Sequence, residues 1–264
     1  MLAKLLKYEL PAMGRKLLPL YAAWAVTAII LGICTQASAS KSDLMAILSI
    51  LLYVGVTVAI MVLSVVMIIQ RYSTSLLDDE GYFSHVLPVS VSAHIGNKLI
   101  SAVIWVTVTM LVALLTGLLV LLGIGITTGF EGFDMANIEV PKRFWLYAFE
   151  FLLIIIAGIV KMVMQIYAAI TIGHQAQNHT TLASIGAYIV VLMFEGALGR
   201  IIAGVVPVFT QVMMQGEYNA DLYGPDGILM FNRLFIPAML MTLAFSAVYF
   251  FVCKYLMEKH LNLA

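Results

Sequence analysis

Apolar positions in this chain do not alternate with polar ones; they run in long blocks. Six blocks stand out, at roughly 17–37, 44–69, 96–126, 144–173, 181–206 and 232–254. Each holds about 20 residues or more, the length a helix needs to cross a hydrocarbon layer of about 30 Å. In lipid a helix satisfies its own backbone N–H and C=O groups, which an isolated strand does not. The pattern therefore predicts an all-α integral membrane protein with six transmembrane helices. The third block exceeds the minimum, and either a tilt or a loose end at "GIGITTG" accommodates the excess. Gly125 and Gly129 there form a small-xxx-small pair of the kind that lets helices approach closely.

The segments outside the blocks are uneven in character. Within residues 1–14, Leu2, Leu5, Leu6, Leu10 and Met13 share a helical face, while Lys4, Lys7 and Glu9 lie on other sides. That suits an amphipathic helix in the membrane interface, bent or ended by Pro11; an unstructured basic lead-in is the alternative. Residues 127–143 carry Glu131, Asp134, Glu139, Lys142 and Arg143. Residues 207–231, "PVFTQVMMQGEYNADLYGPDGILMF", are too polar to span and too apolar for a plain loop. They are expected to dip into the outer leaflet as a re-entrant hairpin, turning at Gly224-Pro225-Asp226-Gly227.

Composition sharpens this picture. The chain is 62% hydrophobic and 11% charged, against about 25% charged in soluble domains. Its formal net charge is zero, so it offers no basic surface to nucleic acid. No connection is long enough for a second, soluble domain, and residues 1–264 read as one transmembrane domain. With the N-terminus inside, Lys4, Lys7, Arg15, Lys16, Arg71, Lys98, Lys254 and Lys259 fall on the cytoplasmic side. Lys41, Lys142, Arg143 and Arg233 fall outside, with Arg200 near that boundary. This excess predicts cytoplasmic termini in the cell membrane. The N-terminal segment lacks a convincing cleavage site, "TQASAS" at 35–40 being a weak one, so it is expected to be retained. Cys34 and Cys253 fall near opposite membrane faces, which rules out a disulfide between them within one chain.

The constellations an intramembrane enzyme requires are missing. There is no His-Glu-x-x-His zinc pair, no Gly-x-Ser-x-Gly nucleophile turn and no pair of aspartates deep in the spans. The histidines of "HQAQNH" (174–179) are five residues apart, about 140° on a helix, and read as solvated residues of a short inner loop. No phosphate-binding loop occurs either. The chain is expected to have no catalytic site, no metal and no bound cofactor of its own.

Four ionisable residues fall inside spans: Glu150 and Lys161 in the fourth, Glu195 and Arg200 in the fifth. Such residues usually face a partner or water. They mark either an ion or substrate path or a pair of internal bridges. If the two spans are antiparallel neighbours, Lys161 and Glu195 match in depth to about 3 Å. Glu150 and Arg200 match likewise near the outer end, giving bridges Lys161–Glu195 and Glu150–Arg200.

The connection between the second and third spans, residues 71–97, holds "LLDDEGYFSHVLPVS" (76–90). Asp78, Asp79 and Glu80 suit a helix N-terminus, where free amides favour negative charge. Tyr82, Phe83 and Val86 supply an aromatic and apolar side, and Pro88 stops the helix. A short helix with an aromatic face and a charged edge suits a cytoplasmic partner; a plain loop is the alternative. "RYSTSLLDDEGYFSHVLPVSVSAHIGNKLI" (71–100) resembles the corresponding connection in ABC-2 type transporter permeases. The likeness lies in Glu80-Gly81, in Leu87-Pro88-Val89-Ser90 and in Lys98 at the start of the next span. The opening "MLAKLLKYEL" is similar to that family's interfacial helix. Tyr82 and Asp79 stand where many members have threonine and a basic residue.

This resemblance implies that residues 78–88 are a coupling helix. Asp78, Asp79, Glu80, Gly81, Tyr82, Phe83, His85, Leu87 and Pro88 would seat it on a separate ATP-binding subunit. ATP and magnesium would be bound by that partner, and the permease would pair with a second copy or a sister permease. Export of an amphiphilic substrate follows, an antimicrobial peptide or drug being preferred because Met-rich stretches such as "VKMVMQIY" (160–167) make adaptable contacts. Two other classes fit the same residues. A secondary transporter would use Lys161 and Glu195 for ion coupling, although no internal repeat supports it. A membrane scaffold would transport nothing.

Overall fold

The computed structural model describes residues 2–38, 43–77, 90–128, 144–176, 179–213 and 225–259. The regular elements among them are helices: α1 (Leu2–Ser38), α2 (Asp43–Leu76), α3 (Val91–Thr128), α4 (Phe144–Gly173), α5 (Thr180–Met213) and α6 (Pro225–Lys259). All six are long and apolar enough to cross a membrane. Large apolar side chains such as Leu114, Val190 and Phe251 are mostly exposed. In water such a surface would associate; on a multi-pass membrane protein it faces hydrocarbon. Hydroxyls inside the spans are satisfied by their own helix. Thr57, Ser64, Thr107, Thr109 and Thr171 each donate to the carbonyl four residues back.

Two expectations at the helix ends are corrected. Residues 1–14 are not a separate element, because α1 runs unbroken through Pro11 and Pro19. A proline removes one backbone donor, and the buried stripe of α1 continues on both sides of Pro11. Three of the four residues expected to turn, Pro225, Asp226 and Gly227, are helical instead. α6 already begins at Pro225, a residue whose fixed φ suits the first helical position. α5 continues through Pro207 to Met213, and residues 214–224 lie outside the described residues. The "GIGITTG" end is helical through Thr128.

The chain divides into two compact units: Met1–Thr74 with Pro88–Ile156, and Ser75–Leu87 with Ala157–Ala264. In the first, α1 and α3 pack side by side and run parallel. Ser101 meets Met13, Tyr21 donates to or accepts from Thr109 at 2.6 Å, and Gly123 meets Gly32. α2 runs against both. Trp24, wholly buried, donates from Nε1 to Thr57 Oγ1 at 2.9 Å. Tyr53 donates to Thr116 at 3.2 Å, so polar contacts tie the three helices at mid-depth.

At Gly123 the α3 backbone comes close to that of α1. A Cβ built on Gly123 would sit 2.9 Å from Gly32 Cα, whereas one on Gly32 would find its nearest atom 3.8 Å away. The expectation is therefore asymmetric. Gly123→Ala should cost about 1–3 kcal/mol by forcing backbones apart, and Gly32→Ala should be tolerated. Thermal unfolding of both variants in detergent checks this; equal losses would contradict it.

In the second unit, α4 from Val163 to Thr171 is buried on every side, as suits a stretch that is apolar almost all round. Gly173 ends α4 against Ser184, leaving no room for a Cβ, and so lets α5 turn back closely. Thr171 meets Cys253 of α6. Neither Cys34 nor Cys253 is in a disulfide.

Candidate functional site

Two groups of charged side chains carry the chemistry of the described residues. The first lies where α1 begins, α2 ends and α3 begins. Arg71 donates from Nε to Glu9 Oε1 at 2.7 Å and from Nη2 to Oε2 at 3.3 Å. Lys98 donates from Nζ to the same Oε1 at 2.7 Å. Glu9 is 7% exposed and Lys98 8%, while the Arg71 side chain reaches further into solvent. Charge-assisted bonds of this kind are short and strong, and the guanidinium fork fixes the carboxylate plane.

α3 presents His94, Asn97, Lys98 and Ser101 on one buried face toward this carboxylate end of the unit. Their spacing of three and four residues follows the helical turn. Asn97 Oδ1 is buried there without a hydrogen-bond partner. Ser90 starts the helix, its carbonyl accepting from the amides of Ala93 and His94. Arg71 sits in the last two turns of α2 and Lys98 in the second or third turn of α3. One carboxylate on α1 therefore holds both roots of the connection expected to couple the chain to a partner. The coupling residues themselves, Asp78, Asp79, Glu80, Gly81, Tyr82, Phe83, His85, Leu87 and Pro88, lie outside the described residues.

The second group lies in mid-span of the second unit. Lys161 Nζ on α4 approaches Glu195 Oε1 on α5 at 2.5 Å. The contact is an ion pair without hydrogen-bond alignment, since Oε1 accepts no aligned donor. Gln165, one turn from Lys161, is buried with its Nε2 unpartnered. The Glu195 charge also acts on Tyr249 of α6, a buried phenol. Three helices thus bring a cation, an anion, an amide and a phenol into one apolar region. Such a group can stabilise the packing of the helices, or it can exchange a proton or bind a polar ligand.

Glu150 and Arg200 fall in different units, Glu150 in the first and Arg200 in the second. Glu150 Oε2 is buried without a partner, and Arg200 is exposed. His174 closes the end of α4, its Nδ1 lying 3.0 Å from the Ile170 carbonyl, and His179 is exposed. Among the described residues no set of histidine, cysteine and carboxylate side chains could hold a metal ion.

The sequence reading missed Glu9, which it placed away from the apolar face. The signal was its register. Glu9, Met13, Leu17, Tyr21, Trp24, Ala28 and Leu31 follow one another at steps of four and three, and all are buried. The stripe is visible only if the helix is carried through Pro11. No family model, curated protein or solved structure matches the chain.

Proposed function

We propose that this chain is the permease subunit of an ATP-driven exporter of the ABC-2 type, powered by a separate ATP-binding subunit. The observation that carries the reading is the triple contact of Glu9 with Arg71 and Lys98. A segment that receives force from a partner has to pass it to the spans. Here both of its roots are held to α1 by a buried carboxylate, so displacing either root displaces α1, α2 and α3 together. Small shifts propagate through such packed, close-fitting elements because they deform little. The coupling helix at 78–88, the semi-re-entrant outer connection, cytoplasmic termini, pairing with a second copy or sister permease, and an amphiphilic peptide or drug as cargo belong to this same proposal.

The test is co-purification with an ATPase carrying a phosphate-binding loop encoded beside the permease, followed by substrate-stimulated ATP hydrolysis. Loss of transport with a hydrolysis-dead ATPase is the expected result. Transport that survives it, and stops when ion gradients are collapsed, would favour the second reading. That reading is a secondary transporter built on Lys161, Gln165, Glu195 and Tyr249, and it rests on the mid-span ion pair.

Two further outcomes follow. Glu80→Arg or Phe83→Asp should leave the spans inserted and abolish coupling, since neither residue lies in a span; variants that bind the ATPase and transport at the normal rate would refute the coupling role. Single cysteines at Ser84 and Asn219, in a background lacking Cys34 and Cys253, should label from opposite sides of the membrane. Labelling from one side would overturn the orientation drawn from the lysines and arginines.

A further inference from the structure

One exposed face runs the length of α1, opposite the buried stripe that starts at Glu9. Its first part carries Lys4, Lys7, Tyr8 and Arg15, all exposed, with Lys16 exposed beside them. From Leu18 the same face is apolar and stays at least half exposed at Val26, Ile29 and Ile33. At 3.6 residues per turn, Lys4, Lys7, Tyr8, Arg15, Leu18, Val26, Ile29 and Ile33 fall within about 100° of the circumference. Glu9 is the one acid among residues 1–42, and it is turned inward and held by Arg71 and Lys98. The exposed face therefore carries cations without a counter-charge of its own.

We propose that this face binds the headgroups of anionic phospholipids in the leaflet at which α1 begins. The switch from Arg15 to Leu18 takes three residues, about 4.5 Å of helix, and marks the edge of the hydrocarbon. An exposed face that is apolar beyond that edge meets acyl chains. The guanidinium of Arg15 then lies level with the phosphates of those same lipids, where its planar fork suits a phosphate. Tyr8, 77% exposed, lies on the same face about 10 Å beyond Arg15. Lys7 and Lys4 stand further out and act on the surface potential of the leaflet. A protein partner would have to match both the cationic part and the apolar part; a lipid does so by its constitution. This inference is independent of the transport reading.

The purified full chain, reconstituted in nanodiscs of equimolar phosphatidylglycerol and phosphatidylcholine, provides the test. Lipids retained on extraction into detergent are identified by mass spectrometry. Each surface cation favours an anionic headgroup by roughly fivefold, so Lys4→Gln/Lys7→Gln/Arg15→Gln should cut the phosphatidylglycerol enrichment by about tenfold or more. The control Lys254→Gln/Lys259→Gln, at the end of α6, should keep it. Wild-type enrichment should also fall as salt rises, because the lysines are exposed. Undiminished enrichment in the triple variant, equal loss in the control, or indifference to salt would each overturn the proposal. So would a chain that retains no anionic lipid and forms a dimer broken by the triple variant, which would assign the face to a second copy.

Discussion

Glu9→Gln is expected to destabilise the first unit by about 3–5 kcal/mol, because it leaves two cations facing each other at a buried site. Lys98→Met should cost less. Arg71 still holds the carboxylate in that variant, and the apolar stem of methionine fills the space of the lysine. The double variant Glu9→Gln/Lys98→Met removes both buried charges, leaving only the part-exposed Arg71 guanidinium, and should recover much of the loss. The midpoint of thermal unfolding in detergent reads all three. A Glu9→Gln chain that melts with the wild type would show that the carboxylate does not hold the helices. The same variant separates structure from coupling. If it is stabilised by Lys98→Met yet remains uncoupled from the ATPase, the contact transmits force as well as holding the fold.

The second large effect is at Lys161 and Glu195. Lys161→Met and Glu195→Gln should each lower folded yield strongly, since an uncompensated ion in mid-span costs about 2.5–3.5 kcal/mol on insertion scales. The double variant should fold better than either single one. A double variant as poor as the sum of the singles would mean the two charges do not stabilise each other. A double variant that folds well and has lost transport would move the pair from scaffold to mechanism, and would favour ion coupling over ATP coupling.

Much of this architecture was legible in the sequence, for reasons specific to membranes. An apolar run must satisfy its backbone within itself, so its length alone identifies a helix. α4 begins and ends at the residues expected, Phe144 and Gly173. The meeting of Lys161 with Glu195 was also within reach. A short connection, residues 174–179, makes α4 and α5 neighbours, and counting residues from it fixes their relative depth. The same arithmetic paired Glu150 with Arg200, two residues that fall in different units.

Other features carry no local signal. Nothing in the composition of α1 says that it packs parallel to α3, or that Gly32 and Gly123 meet. Glu9 was hidden by a rule that holds on average. Pro11 was read as a break, and a break cancels the register linking Glu9 to Met13 and Leu17. Packing on both sides of the proline overrides the loss of one backbone bond.

The clamp at Glu9 also has a consequence in time. Its partners lie 62 and 89 residues further along the chain. At about 5–20 residues per second of synthesis, Lys98 emerges roughly 4–18 s after Glu9. Throughout that interval Lys98 is missing from the clamp and the parallel partner of α1 does not exist. A nascent chain halted before the third helix holds a half-built clamp, in which Glu9 lacks its Lys98 partner. α1 and α2 can meet first, through Trp24 with Thr57 and Glu9 with Arg71; the clamp is complete when the third helix arrives.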